Sequence, residues 1–273
     1  MRLKNKVIIV TGSTTGIGKA IALRCVAEGA KVVVHGLEED WGAEVLGELG
    51  EEKAVLHIED LAEEGATDRL TKLAIKTFGK LDAVVNNAAI VASSNIHSTD
   101  RAFVQRLLAV NTIAPLMLIR SSLPYLTAQH GAVLNIGSVN AYSGEPDLLA
   151  YSITKGALMA MTRNLGDTLH REYGVRVNQV NPGWVLTETE KLRKKSHGLA
   201  EDWYRDLPSV YAPAGRILWP KEIAEAAVYW LSDDCGPISG QVVDLEQYPF
   251  IGRNPPKDPT TIPAVKPPEG GSK

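Results

Sequence analysis

Three side chains in this chain are spaced so as to exchange a proton. Tyr151 and Lys155 stand four apart in Ala150-Tyr-Ser-Ile-Thr-Lys155, and Ser138 lies thirteen residues before the tyrosine, just beyond the apolar run Ala132-Val-Leu-Asn-Ile136. The apolar spacing from Tyr151 to about His170 predicts a helix, and residues i and i+4 share a helix face, so the ammonium stands beside the phenol. A fixed cation favours tyrosinate. It is therefore expected to lower a phenol pKa from its usual value near 10 towards working pH, where general acid/base chemistry becomes efficient. Ser138 would hold the oxygen on which the proton is exchanged. By itself a Tyr-x-x-x-Lys spacing occurs on many surface helices, so the rest of the chain has to supply a reason for it.

The opening supplies one. Val7-Ile-Ile-Val10 is a short apolar strand, followed at once by Thr11-Gly12-Ser-Thr-Thr-Gly16-Ile17-Gly18 and a helical pattern through Glu28. A glycine-rich turn between strand and helix leaves bare backbone N–H groups and a helix N-terminus where a pyrophosphate can sit. The gap between Gly12 and Gly16 differs from the commonest dinucleotide fingerprint. A second feature lies in the helical pattern from Thr99 to about Leu123, which contains Pro115. Proline removes the hydrogen bond to the carbonyl four residues back, which here belongs to Asn111.

Taken in order, these motifs resemble the short-chain dehydrogenase/reductase family, in its compact single-domain branch. The likeness runs from about Leu3 to Glu246. It rests on Thr11 to Gly18, Asp60-Leu61, Asn86-Asn-Ala-Ala89, Asn111, Ser138, Tyr151 with Lys155, and Asn181-Pro-Gly183 followed by Thr187. It implies hydride transfer between a substrate carbinol carbon and a nicotinamide, with Tyr151 exchanging the hydroxyl proton and Ser138 fixing the oxygen. Lys155 would orient the ribose and stabilise tyrosinate, and Asn111 would hold a water in the proton relay. For the cofactor the resemblance implies contacts from Gly12, Ser13, Thr15, Gly16, Ile17 and Gly18, and from His35, Gly36 and Leu37 after the second strand. Asp60, Leu61, Asn87 and Ala88 would meet the adenosine side. Pro182, Gly183, Val185 and Thr187 would line the nicotinamide, with Tyr151 and Lys155. Asp60 is also readable as an acidic cap before a helix beginning near Ala62.

The end of the second strand bears on which nucleotide is used. In this family an acid there grips the adenosine 2′-hydroxyl of NAD, and basic residues take the NADP phosphate. Val34-His35-Gly36-Leu37 offers neither, and Thr15 before Gly16 is not basic. The stretch is similar to NAD-dependent 3-hydroxybutyrate dehydrogenases, which favours NAD over NADP. Those enzymes hold a substrate carboxylate with a glutamine, a histidine and a lysine, where this chain has Val91, Asn140 and Leu148. No carboxylate anchor is expected. Ser94, Ser138, Asn140, Glu145 and Tyr151, with Trp184 and also Tyr142 and Trp203 as aromatic walls, suit a sugar or polyol. The alternatives are a 3-oxoacyl-carrier-protein reductase, suggested by the general family resemblance and the basic run Lys191-Leu-Arg-Lys-Lys195 but opposed by the missing NADP-selective basic residues, and a non-catalytic dinucleotide sensor. That run is also readable as a solvated helix face. Ala89 stands where the family has glycine, and Leu245-Glu-Gln247 replaces Asp-Gly-Gly.

The elements that must position these residues follow from periodicity. Apolar runs near 7–11, 31–35, 54–58, 82–86, 132–137, 175–180 and 240–245 alternate with helical stretches, which predicts an α/β fold: a doubly wound, Rossmann-type, seven-stranded parallel sheet with helices on both faces. The 273 residues read as one domain over 1–248, with a substrate lid at about 186–215, and a proline-rich tail over 249–273. A net charge of −3 gives no basic footprint for nucleic acid or an anionic membrane, so a small-molecule substrate is the expected partner. With no apolar leader and no run long enough to span a bilayer, the expected location is cytoplasmic. Cys25 and Cys235 lack ligand spacing, so neither metal nor disulfide is expected. The family resemblance implies a homotetramer built on the helices near 99–123 and 151–170.

Overall fold

The computed structural model describes residues 1–249 and 251. The proline-rich tail expected after 248 lies outside them, residues 249 and 251 apart. Among the described residues there are seven strands: β1 (Val7–Val10), β2 (Lys31–Gly36), β3 (Ala54–Ile58), β4 (Ala83–Asn86), β5 (Ala132–Ile136), β6 (Arg176–Pro182) and β7 (Val242–Leu245). Among them run α1 (Gly16–Ala27), α2 (Glu39–Leu49), α3 (Ala66–Phe78), α4 (Arg101–Leu108), α5 (Ala114–Ala128), α6 (Leu149–Tyr173), α7 (Glu188–Ser196) and α8 (Pro220–Leu231). All strand pairs are parallel, in the order β3-β2-β1-β4-β5-β6-β7. The order reverses between β1 and β4, and a cleft must open there at the carboxyl ends of the strands.

Why the central strands read as continuous apolar runs is visible in their two faces. Successive side chains of a strand point to opposite sides. Ile8 and Val10 pack with α1 and α8 residues such as Ile21, Ala224 and Val228, whereas Val7 and Ile9 join Leu70, Leu118 and Leu126 from α3 and α5 on the other side. Both faces are covered, so every position of β1 is buried.

Two helices begin or run differently from expectation. The segment after Asp60 stays a turn until Ala66, because the Asp60 carboxylate accepts from Ala62 N and Gly65 takes a left-handed φ of 76°. Helix α4, capped by the Asp100 side chain, continues through a π-helical turn at Ala109–Ile113 into α5, which also passes Pro124. The resulting run, Arg101–Ala128, reaches a mean hydropathy of 1.6, long and apolar enough by length and composition to cross a bilayer. This corrects the expectation that no such run exists. Its inward side, including Leu118, Ile119 and Leu126, packs against the sheet and α3.

Candidate active site

A cavity of about 720 Å³ opens at the carboxyl ends of the strands, lined from the Gly12 turn at one end to Tyr151, Glu145 and Trp184 at the other. Tyr151 and Lys155 sit in the first turns of α6 and are both buried. Ser138 follows β5 and lines the cavity with the Tyr151 phenol, and its Oγ accepts from Asn140 N at 3.1 Å. Lys155 Nζ donates to Ile136 O at 2.7 Å and lies 5.6 Å from the Tyr151 ring centre. The three residues are thus brought together as expected.

Their electrostatics differ from the simple expectation. Burial pushes the Tyr151 phenol up to about 12, opposed by the neighbouring Ser138 hydroxyl and reinforced by the Glu145 charge. Burial likewise pulls Lys155 down to about 8. The ammonium is held on a backbone carbonyl rather than on the phenol oxygen, so removal from water dominates over its attraction for tyrosinate.

Ser138 is fixed by a buried polar chain crossing four strands. Asn86 Nδ2 donates to Asn135 Oδ1, Asn135 Nδ2 to Thr162 Oγ1, and the Thr162 hydroxyl lies 2.8 Å from Gln179 Oε1. Gln179 and Asn181, two apart on β6, share a face. Gln179 Nε2 and the Ser138 backbone N–H both donate to Asn181 Oδ1, while Asn181 Nδ2 donates to Asp244 Oδ1. Tyr142, expected as an aromatic wall, donates its hydroxyl to Asp244 instead, 3.0 Å away, and is absent from the cavity lining. Asn111 is buried in the π-helical turn; its side chain accepts from Ile90 N and donates to Ile90 O and Thr154 Oγ1, joining the strand β4 loop to α6.

The residues at the other end fit a dinucleotide. Gly12 and Gly16 adopt φ of 61° and 55°, and a Cβ on Gly12 would stand 2.8 Å from Ala88 Cα. Helix α1 begins there with no side-chain cap and no acidic residue in its first turn, leaving its N–H groups to an anion. Thr14, Thr15, Gly16, Ile17, Gly36, Leu37, Asp60, Leu61, Asn87, Ala88, Pro182, Gly183, Val185 and Thr187 all line the cavity. Gly18 does not, because its place is against Gly12 O, 2.1 Å from where a Cβ would be.

Besides Gly18 and Tyr142, three further expected contacts are corrected. Ser13 is fully buried, with its hydroxyl donating to Val10 O and accepting from His35 N, so it shapes the turn. His35 lines the cavity, yet Nδ1 accepts from Gly12 N and Nε2 meets Glu59 O, leaving neither nitrogen for a nucleotide. Ser94 lies outside the lining, where its Oγ accepts from Ala150 N at the start of α6.

Other residues went unread. Glu38, two positions past β2, lines the adenosine end and accepts from Thr14 Oγ1 at 3.0 Å; the signal was an acid just beyond the stretch Val34–Leu37. Arg106 pairs with Asp60, and that guanidinium holds the carboxyl below its usual range. The lid contributes Glu190, Arg193 and Lys194 to the lining, so part of the basic run faces inward rather than being a solvated face. Glu246 accepts from Trp184 N and packs against Gly183, in the segment that departs from Asp-Gly-Gly. Trp184 stacks on Trp203 with ring centres 5.0 Å apart.

Comparison with known proteins gives the same direction. A family profile described as enoyl-(acyl carrier protein) reductase matches residues 12–246. An uncharacterized oxidoreductase of Thermotoga maritima is 32% identical over 90% of this chain and 98% of its own length. An NADP-dependent (R)-specific alcohol dehydrogenase of Lentilactobacillus kefiri is 32% identical, covering 85% of this chain and 92% of its own. An L-fucose dehydrogenase of Rattus norvegicus is 35% identical over 85% of each chain.

Proposed function

The chain belongs to the short-chain dehydrogenase/reductase family, an oxidoreductase acting on CH–OH groups with NAD(P), and from that premise we propose that it is an NAD-dependent dehydrogenase of a sugar or polyol. The observation that carries the substrate half is the balance of charge around Tyr151. Arg193, the lid cation whose charge acts on the phenol, is gripped by Glu190 through two bonds of 2.8 and 2.9 Å. That pair is neutral, and Lys194, 4.0 Å from the same Glu190, is offset by Glu145, so this end of the cavity carries no surplus cation. Asn140 and Glu145 make no side-chain hydrogen bond among the described residues, so acceptors and donors face the substrate space. Such groups match hydroxyls and offer a carboxylate no unpaired cation as an anchor. The relative that oxidises L-fucose supports the same class. The carrier-protein reading keeps its family resemblance, but part of the basic run behind it is answered, Lys191 by Glu188 and Arg193 by Glu190.

The nucleotide would rest its pyrophosphate on the Gly12–Ile17 turn and Thr187, its adenosine near Glu38 and Asp60, and its nicotinamide along Pro182–Val185. When bound it supplies or accepts the hydride. The chain's own residues handle the proton. Ser138 holds the substrate oxygen, and Tyr151, which burial keeps protonated at neutral pH, gives that oxygen a proton in reduction; in oxidation the phenol first loses its own proton to solvent and the tyrosinate then takes the one from the substrate hydroxyl. Lys155, held on Ile136 O, keeps further N–H donors for a ribose.

Glu38 supports NAD, because a carboxylate at the adenosine end accepts from a 2′-hydroxyl and repels a 2′-phosphate. Calorimetry is expected to give tighter binding of NAD than NADP, with Glu38→Gln narrowing the gap. A preference for NADP of about tenfold, 1.4 kcal/mol, would sink the cofactor half. A turnover screen of sugars, polyols, hydroxy acids and oxoacyl thioesters with both nucleotides tests the substrate half, which fails if only acids or thioesters react.

A further inference from the structure

Helix α7 buries no residue, so apolar packing does not explain why it lies over the cavity. Its hydrogen-bonded hold on the rest of the molecule centres on one carboxylate, beside Lys191 over the Tyr204 ring and Lys194 over the Trp184 ring. Thr187 caps the helix by accepting from Glu190 N, and the Glu190 side chain then reaches two ways. Glu190 Oε1 accepts from the Trp184 indole N–H at 2.8 Å, and the same carboxylate takes both Nε and one terminal nitrogen of Arg193. Trp184 is itself anchored, its backbone N–H donating to Glu246 and its ring stacked on Trp203. Glu190 is only 12% exposed and Arg193 19%, so both act away from bulk water, where a charge-assisted bidentate pair is stiff and directional.

The fork has a consequence for substrate. A guanidinium has three nitrogens, and Glu190 engages two. The third, Nη1, makes no protein hydrogen bond among the described residues, while Arg193 lines the cavity with Glu145 and Tyr151. We propose that Glu190 is a positioning residue that, latched to Trp184, presents the remaining Arg193 Nη1 donor to a substrate hydroxyl beyond the one that reacts, making Arg193 a specificity-determining residue. The proposal rests on the sugar or polyol reading for the identity of that oxygen. Its geometry is independent of it. Because Glu190 neutralises the guanidinium, the donor selects a hydroxyl over an anion, and because the fork is rigid, lysine cannot replace it.

The experiment compares two substrates of the same enzyme: a polyhydroxylated one returned by turnover screening, and 2-propanol, which offers no second hydroxyl. Arg193→Lys is expected to lower kcat/KM for the polyhydroxylated substrate at least about tenfold more than for 2-propanol, chiefly through KM, with the NAD dissociation constant held within about twofold. Glu190→Gln keeps an acceptor for Trp184 but loses the ion pair, and should move the same ratio in the same direction. The double variant should be no worse than Arg193→Lys, since Glu190 acts through Arg193. Equal losses on the two substrates, or additive losses in the double variant, overturn the proposal. If screening returns a hydroxy acid instead, the substrate reading fails, and the same variants on that acid decide the latch: the KM effect and its non-additivity must still appear. An NAD affinity that collapses in either variant would mean a merely structural role, and also overturns it.

Discussion

Tyr151, Ser138 and Lys155 show how far a few residue types reach. Their spacing, read with the glycine-rich turn and the other motifs, indicated acid/base chemistry, and the fold brings them together, but the sign of the pKa shift was hidden because burial is a property of the assembled chain. The phenol sits at about 12 and the ammonium at about 8 for the same reason. Tyr151→Phe keeps the ring and its packing while deleting the titrating hydroxyl. Steady-state kinetics should show kcat lower by at least about 10²-fold with nucleotide affinity nearly unchanged, whereas Lys155→Ala should weaken both. Retention of more than about a tenth of turnover by the phenylalanine variant would remove tyrosine from the acid/base role. His35 makes a stability prediction. Buried with both nitrogens bonded, it titrates near 4 in the folded protein against an ordinary 6.5. Between those values the unfolded chain binds the extra proton, so stability falls as pH drops from 6.5 to 4, by about 3 kcal/mol through linkage. The paired carboxylates Glu59 and Asp60, held low, lose stability in acid too. The measurement is therefore the difference between wild type and His35→Gln in urea unfolding at about pH 4.5 and pH 7, where the variant should show the flatter dependence. Glu38 and Arg193 were illegible for a plain reason: a charged residue in a loop or on a polar helix has no periodicity to betray which way it points.

At the scale of elements, strands were the most legible parts, since a strand buried on both faces must be written as an unbroken apolar run, as in Val7–Val10. Helix ends were less so. The start of α3 moved to Ala66 because Asp60 and Gly65 build a turn that resembles a cap in sequence. Polar residues inside β5 and β6 were misleading in the other direction. Asn135, Gln179 and Asn181 look out of place in a core until the chain of hydrogen bonds that they form to the Ser138 backbone is drawn. Gly137 makes room for that chain: a Cβ there would fall 2.0 Å from Asn181 Oδ1 and 2.3 Å from Gln179 Nε2. Gly137→Ala should therefore displace Asn181 and with it Ser138, costing about 1–3 kcal/mol of stability as other overpacked sites do. Activity should fall by more than the unfolded fraction accounts for. Denaturant unfolding and kcat on the same preparation check this; a stable variant with full turnover would show that Asn181 does not position Ser138.

Across the whole molecule, alternation of strand and helix was enough to anticipate the sheet, and the site at its reversal point follows from that topology alone. What one chain cannot write into its own periodicity is a surface made for another copy. The long run Arg101–Ala128 is more apolar than a helix with one covered face needs to be. Its outer residues Ile113 and Leu116, one turn apart, are 52% and 38% exposed, and Ile153 on α6 is 47% exposed. Thr112 Oγ1 donates to Thr154 O, so the π-helical turn leading into α5 and the first turns of α6 are joined edge to edge. Two adjacent helices with an uncovered apolar seam can satisfy it by pairing with the same seam of a second copy about a two-fold axis, because a two-fold makes one patch its own complement. This favours burial within an assembly over burial in lipid, since the same run carries Arg106 in an ion pair with Asp60 and opens on Arg101. The wild-type protein should scatter light as a dimer or tetramer at micromolar concentration. Replacing Leu116 and Ile153 together with glutamate should yield a monomer, because like charges would then face each other across the axis with no apolar contact to offset them. Tyr151 lies on α6 only two residues from Ile153, so the monomer should also lose activity through a loosened helix start even though no substituted side chain lines the cavity. A wild-type protein that is monomeric at that concentration would assign the exposed seam to some other partner and remove the two-fold from the account.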